Sequence, residues 1–328
     1  MGSLEFDGGV REHLSSIDIA PFIDAESSEE PKRLGVLKQV REACLRHGFF
    51  GITGHGISLD LQGQVLEQSK RLFDLTYEEK MELHESKSFG LSHRGYQPIQ
   101  GERLQQGQAP DLKEGFQLGV EKAIDHPDCA AERMLTGPNV WPQTLGPDFS
   151  IIMKTYFEKI KALQDTLVKI IALTLNVDYD EIFKPLLSDS LRGLRLLHYP
   201  PQDDGTKLGA GAHTDFGALT CLLTDGVSGL QIMNDANEWV DVEIDNGSYV
   251  VNLGDIMKRM TAGLYKSSMH RVVNTSGKHR YSVPCFLDGN LDFVVTSVVN
   301  GPDPEHSSLT IEEHMMERFG TARIHIVK

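Results

Sequence analysis

Three side chains, two of them close together and one distant in the sequence, have the right types to chelate a divalent metal. His213 and Asp215 are separated by one residue inside HTDFGALTCLLT, a run that reads as a strand. Side chains alternate across a strand, so these two are expected on one face. His270, at the start of the later strand-like run HRVVN, is the candidate for a third donor. Two imidazoles and one carboxylate leave positions open at the metal. That arrangement suits Fe(II) that must bind a co-substrate and oxygen together. The HxD spacing alone is weak, because the chain has 13 histidines and an isolated one is more often a core or surface residue than a ligand.

A second pair strengthens the reading. Arg280 and Ser282 follow about one hairpin after His270, again one residue apart on a strand. A guanidinium and a hydroxyl on one strand face form a fork for a carboxylate. RxS is common by itself and could be a surface strand. HxD, a distal His and then RxS, each in a strand context, is a far rarer combination.

The elements that must position these residues fall into two halves. The first half is mainly helical. Leu34, Leu37, Val40, Ala43 and Cys44 recur at helical spacing between Pro31 and His47, and Gly48 ends the run. FFGITGHG (49–56) reads as a buried strand and turn. A second helix carries Leu61, Val65, Leu72 and Phe73, and Thr76 with Glu79 caps a third. Residues 84–110 are rich in Ser, Gly, Gln and Pro and read as a long loop. An amphipathic helix is expected from about Phe149 to Leu175. After Ser190 come short strand-like runs, LRLLHYP, HTDFGALTCLLT, GLQIM, SYVVNLG, HRVVN, RYSVPCFL and LDFVVT, separated by turns such as DDGT, DGVSG and DNGS. This spacing predicts an antiparallel sandwich or barrel. Thr310 with Glu313 caps a C-terminal helix.

Composition narrows the function classes. The chain has 328 residues, 40% of them hydrophobic, enough for a full core in one large or two intimate domains. A net charge of −15 repels phosphate backbones and anionic lipid, so neither nucleic acid nor a membrane is an expected partner. The N-terminus is polar and acidic and reads as neither a secretory signal nor a transit peptide. Cys44, Cys129, Cys221 and Cys285 are far apart with no CxxC pair, which argues against a zinc ribbon and fits a reducing, cytoplasmic location.

At this point the chain resembles the isopenicillin N synthase-like branch of the 2-oxoglutarate- and Fe(II)-dependent oxygenases. The similarity is carried by ACLRHGFFGITGHGI (43–57), DLKEGFQLG (111–119), LLHYPP, HTDFGALTCLL, GLQI, VVNLGD, MHRVVN and RYSVPCFL. The resemblance implies an α+β fold: a distorted double-stranded β-helix, or jelly roll, with flanking helices. It implies a mostly helical N-terminal region (1–125) packed on a jelly-roll core (126–328) that carries the long support helix and the C-terminal helix. It further implies Fe(II) on His213, Asp215 and His270, 2-oxoglutarate as co-substrate with its distal carboxylate on Arg280 and Ser282, supported by Tyr199, and O2. Many plant members have Asn two residues before that tyrosine; here the position is Leu197. Asn252 and Asp255 match a structural motif of the branch, for which a turn role is expected.

If Tyr199 faces the cavity, alternation brings Leu197 and Arg195 with it. Arg195 then reads either as a clamp for a substrate anion or as half of an ion pair. The same alternation aligns Ser282 with Pro284 and Phe286. Phe286 resembles the aromatic wall that relatives place over the substrate, with Asp288 expected at the rim and Phe216 in the core. Residues 92–104 are expected to form a lid offering Arg94 and Tyr96. The implied activity is hydroxylation, desaturation or cyclisation of a small organic molecule in secondary metabolism, with release of succinate and CO2. Alternatives on the same residues are an iron oxidase that does not consume 2-oxoglutarate and a silent module that binds a small acid. A zinc hydrolase is weaker, since no general base stands out.

Overall fold

The computed structural model describes residues 11–14, 16–24, 30–104, 109–202, 208–299 and 308–322. The extreme N-terminus, residues 105–108 of the expected loop and the DDGT turn lie outside them. Strands β1 (Arg11–His13) and β2 (Ser16–Asp18) lead through α1 (Ala20–Ile23) to α2 (Glu30–Arg46). Gly48 ends that helix at φ +67, where a Cβ would collide with the Lys266 carbonyl. There follow β3 (Phe49–Thr53), α3 (Leu59–Phe73) and α4 (Tyr77–Glu82). Thr76 and Glu79 form the expected capping box on α4.

Within the expected loop the chain forms β4 (Gly95–Gln97), which pairs with β5 (Glu114–Gly119). After α5 (Pro127–Ala130) comes the long helix α6 (Pro147–Leu175), closed by Asn176 in the left-handed region. A helix absent from the sequence expectations, α7 (Tyr179–Leu187), precedes β6 (Leu191–Tyr199). The run HTDFGALTCLLT splits into β7 (Ala210–His213) and β8 (Leu219–Thr224). Then come β9 (Leu230–Met233), an unanticipated β10 (Trp239–Glu243), β11 (Tyr249–Leu253) and an unanticipated α8 (Asp255–Met260). The described chain ends with β12 (His270–Val272), β13 (Arg280–Gly289), β14 (Val294–Val295), β15 (Leu309–Thr310) and α9 (Ile311–Ala322), the last capped by Thr310 and Glu313.

Two sheets form a jelly roll. The larger has the order β2-β3-β11-β8-β13-β6-β5-β4, the smaller β1-β10-β9-β12-β7. Strands from before residue 125 are hydrogen-bonded into both sheets, so the N-terminal region shares the barrel's framework as well as packing on it.

The larger sheet is buried on both faces. On β13, Tyr281, Val283, Cys285 and Leu287 enter the core beneath α2, α3 and α6. Arg280, Ser282, Pro284, Phe286 and Asp288 all face a cavity between the sheets. Gln164 of α6 ties the helix to the sheet by donating to the Cys285 carbonyl at 2.9 Å. All four cysteines are buried and unpaired. No helix among the described residues is long and apolar enough to cross a membrane.

Candidate metal centre and active site

His213, Asp215 and His270 converge: one ligand atom from each lies within 4.8 Å of the others. His213 and His270 face each other directly across β7 and β12, with ring centroids 4.2 Å apart. Each Nε2 points to the same Asp215 oxygen, Oδ1, at 3.8 Å from His213 and 3.7 Å from His270.

Strand alternation is only part of the cause. β7 ends at His213, and Asp215 lies in the turn by which the chain passes from the smaller sheet to the larger. That turn is fixed from below. Asp255 N–H donates to the Asp215 carbonyl at 2.9 Å, and a Cβ on Gly254 would collide with the Gly217 carbonyl.

Further contacts prepare each donor. Nδ1 of His213 lies 2.7 Å from the Gly211 carbonyl and Nδ1 of His270 3.2 Å from the Ser268 carbonyl. A carbonyl only accepts, so both Nδ1 atoms carry the proton and both Nε2 lone pairs face inward. Burial, with the neighbouring imidazole of His270, pulls His213 down to about 3, so it is neutral near pH 7. Burial by itself raises the Asp215 carboxyl. The two imidazoles and hydrogen bonds from Asn252 and Thr220 outweigh it and hold the group below the usual range. Those bonds reach Oδ2, at 2.6 Å from Asn252 Nδ2 and 2.5 Å from Thr220 Oγ1, leaving Oδ1 to face the imidazoles. Asn252 therefore sits in a strand and orients a candidate ligand, where a turn role was expected. Because β11 is buried along its whole length, no polarity alternation marks this residue in the sequence.

The same cavity, of about 170 Å3, contains Arg280, Ser282 and Tyr199. Arg280 is 1% exposed. Its Nε donates to the Val227 carbonyl at 3.2 Å, its Nη1 lies 3.4 Å from Ser282 Oγ, and its guanidinium stands 4.9 Å from the Tyr199 ring centre. Among the described residues no carboxylate pairs with it. A buried guanidinium of this kind calls for an anion from outside the chain.

The expected substrate residues separate on inspection. Leu197 and Phe286 line the cavity as alternation required. Arg195 lines it too, but its guanidinium is held by Glu102, at 2.8 Å, and by Gln97. The ion-pair alternative is thus realised, and Lys113 shares Glu102 at 3.1 Å. Tyr96 does not line the cavity. It is 2% exposed and donates its hydroxyl to Glu114, because β4 turns the expected lid segment into a buried edge strand. Asp288 is not at the rim but 6% exposed inside the wall, because strand β13 runs on to Gly289 and stays buried at that end. Phe216 packs on the core and also lines the cavity, beside Met315 and Phe319 of α9. Sequence reasoning missed the contribution of α9, since nothing in a capped amphipathic helix says which cavity it covers.

Two imidazoles and one carboxylate gathered inside a jelly roll mark the mononuclear non-haem iron oxygenases as a class. Comparison with known proteins is specific. Residues 15–144 match the family described as non-haem dioxygenase in morphine synthesis N-terminal, and residues 191–289 match the 2OG-Fe(II) oxygenase superfamily. The chain is similar to the 2-oxoglutarate-Fe(II) type oxidoreductase hxnY of Emericella nidulans, 41% identical over 309 residues that cover 90% of this chain and 86% of that one. It is also similar to the 2-oxoglutarate-dependent dioxygenase citB of Monascus ruber, 39% identical over 323 residues covering 94% and 95%. Among solved structures, a full-length Neurospora crassa protein in complex with alpha-KG and thymine superposes with a TM-score of 0.81 at 25% identity, covering 98% of this chain and 99% of that one. The chain belongs to the 2-oxoglutarate- and Fe(II)-dependent oxygenases, in their isopenicillin N synthase-like branch. It is a non-haem iron dioxygenase that takes Fe(II), 2-oxoglutarate and O2.

Proposed function

We propose that His213, Asp215 and His270 hold the iron of this dioxygenase and that Arg280, Ser282 and Tyr199 hold the distal carboxylate of 2-oxoglutarate. The observation that carries this reading is a shared cavity. One wall gathers three metal donors, with both imidazoles fixed in the ligand-ready tautomer. Another wall carries a buried guanidinium with no acidic partner among the described residues. The donor set fits Fe(II), and the cation beside a hydroxyl fits a carboxylate.

Bound there, iron with 2-oxoglutarate and O2 supplies the oxidation, with succinate and CO2 released. The chain's own residues do the positioning. Asn252 and Thr220 keep Asp215 from rotating, and the Gly211 and Ser268 carbonyls keep both imidazoles aimed inward. Arg280 and Ser282 anchor the co-substrate, with Tyr199 under the guanidinium. Leu197, Leu222, Val272 and Phe286 keep the rest of the cavity dry.

The substrate is a small organic molecule of secondary metabolism, oxidised in the cytoplasm. Thymine bound to the Neurospora structure and the net charge of −15 both support a small molecule over nucleic acid. Residues 1–125 and 126–328 work as one unit, since both supply strands to the framework of the cavity.

The test is turnover of labelled 2-oxoglutarate with Fe(II) and candidate substrates. His213→Ala is expected to abolish succinate and CO2 release in a protein that remains folded. Arg280→Ala is expected to raise KM for 2-oxoglutarate at least about tenfold, for loss of a charge-assisted hydrogen bond. Full activity in either variant removes the assignment.

A further inference from the structure

Part of the cavity wall carries polar groups that neither the iron nor the 2-oxoglutarate assignment uses. Arg94 is 1% exposed and lines the cavity. Its Nη2 donates to the Leu135 carbonyl at 2.7 Å, while its Nε has no hydrogen-bond partner. Asp288 is 6% exposed, lines the same cavity, and receives no hydrogen bond from any described residue. No ion pair joins the two among the described residues, although each charge acts on the other. Asp288 Oδ1 lies against Gly217, two residues from Asp215, which places it on the metal side of the cavity.

The fold goes to some length to keep these groups here. Gly119 leaves the space the Arg94 guanidinium fills, and Gly217 leaves the space beside Asp288 Oδ1. Leu135, which holds Arg94, sits at φ +56, a conformation a leucine rarely adopts. Burying a donor and an acceptor unpaired costs stability unless a ligand completes them. The cavity they line also carries flat apolar side chains. Phe216, Phe286 and Phe319 line the cavity with Leu191 and Met315, and Phe216 meets Phe319 edge to face at 5.6 Å.

We infer that Arg94 and Asp288 are the specificity-determining pair for the oxidised substrate, a flat ring compound bearing a hydrogen-bond acceptor and an O–H or N–H donor side by side on one edge. Arg94 donates to the acceptor, Asp288 accepts from the donor, and the phenylalanines hold the ring. The inference rests on the reading of this cavity as the active site.

Binding is measured without oxygen, in full-length protein loaded with Fe(II) and 2-oxoglutarate, by the change each probe causes in the visible absorption of the iron–co-substrate complex. The probes are 2-quinolone, which has both groups adjacent, N-methyl-2-quinolone, which has the acceptor alone, and 2-methylnaphthalene, which has neither. The parent protein is expected to bind 2-quinolone about tenfold tighter than 2-methylnaphthalene, with the N-methyl compound between them. Arg94→Met and Asp288→Leu are each expected to reduce that preference below about threefold. If circular dichroism shows either variant unfolded, Arg94→Lys and Asp288→Asn take its place, with the preference at least halved. No binding by any probe, equal binding by all three, or a preference that survives in both variants overturns the inference. Failure of the parent protein to give the absorption of the iron–co-substrate complex overturns the underlying reading of the cavity, and this inference with it.

Discussion

The Asp215 carboxylate is set in place by residues that never touch a metal. Asn252 and Thr220 both bond to Oδ2 and turn Oδ1 toward the two imidazoles. Removing such a partner lets the ligand rotate and typically weakens metal affinity about 10- to 100-fold. Asn252→Ala is therefore expected to raise the Kd for Fe(II) or Mn(II) by about that factor, measured by metal titration; unchanged affinity would show that the turn alone holds Asp215. Asp288 behaves in the opposite way. Burial, with the charge of Asp215, pushes its carboxyl up to about 7 against the pull of Arg94. Because the folded value lies above the unfolded one, the protonated form is the one folding favours. Its contribution to stability is full below the ordinary carboxylate range and is lost as pH rises from about 4 through about 7. In metal-free protein, Asp288→Asn is expected to melt a few degrees above the parent at pH 8 and level with it near pH 4; a pH-independent difference would assign the effect to packing.

At the scale of elements, polar residues on inward faces knit strands to helices. Glu114 on β5 takes hydrogen bonds from Lys80 at the end of α4, Tyr96 on β4 and His198 on β6 at 2.9, 2.5 and 2.7 Å. Burial alone would raise the Glu114 carboxyl, but these bonds outweigh it and lower it. Its stabilisation is thus present above the unfolded carboxylate pKa and fades as pH falls through the folded one. Glu114→Gln is expected to cost about 1–3 kcal/mol in urea unfolding at pH 7, with the gap narrowing in acid. A neutral result would mean that the remaining contacts satisfy Lys80 and His198 unaided. Strand β13 shows how much an element reveals by its period. Every second residue from Arg280 to Asp288 faces the cavity, so the one assignment of Arg280 and Ser282 placed Pro284, Phe286 and Asp288 as well. How deep each lies was not legible, because depth is set by what packs against the strand's far end.

For the molecule as a whole, the proposed metal site joins two sheets. His213 and His270 belong to the smaller sheet, and Asp215 is pinned by residues of the larger. Metal with 2-oxoglutarate should therefore stabilise the entire barrel. At 100 times Kd the linkage is worth about 2.7 kcal/mol, several degrees of Tm for a chain of this size. A chelator should reverse the gain, and His270→Ala should abolish it. A rise that persists in His270→Ala would place the ion elsewhere.

The sequence by itself determined the donor types, the order HxD, distal His, RxS, the helix caps at Thr76 and Thr310, and hence the class of chemistry. These are local: a cap is a matter of neighbouring residues, and a strand face is a matter of every second residue. Tertiary structure alone decided that Asp215 sits in a sheet-crossing turn, that Asn252 steadies it and that Arg195 is engaged by Glu102. It also decided that Tyr96 and Asp288 are buried and that α9 lines the cavity. Each of these depends on a contact between segments distant in the chain, where burial on both faces erases the alternation of polar and apolar residues that a sequence can display.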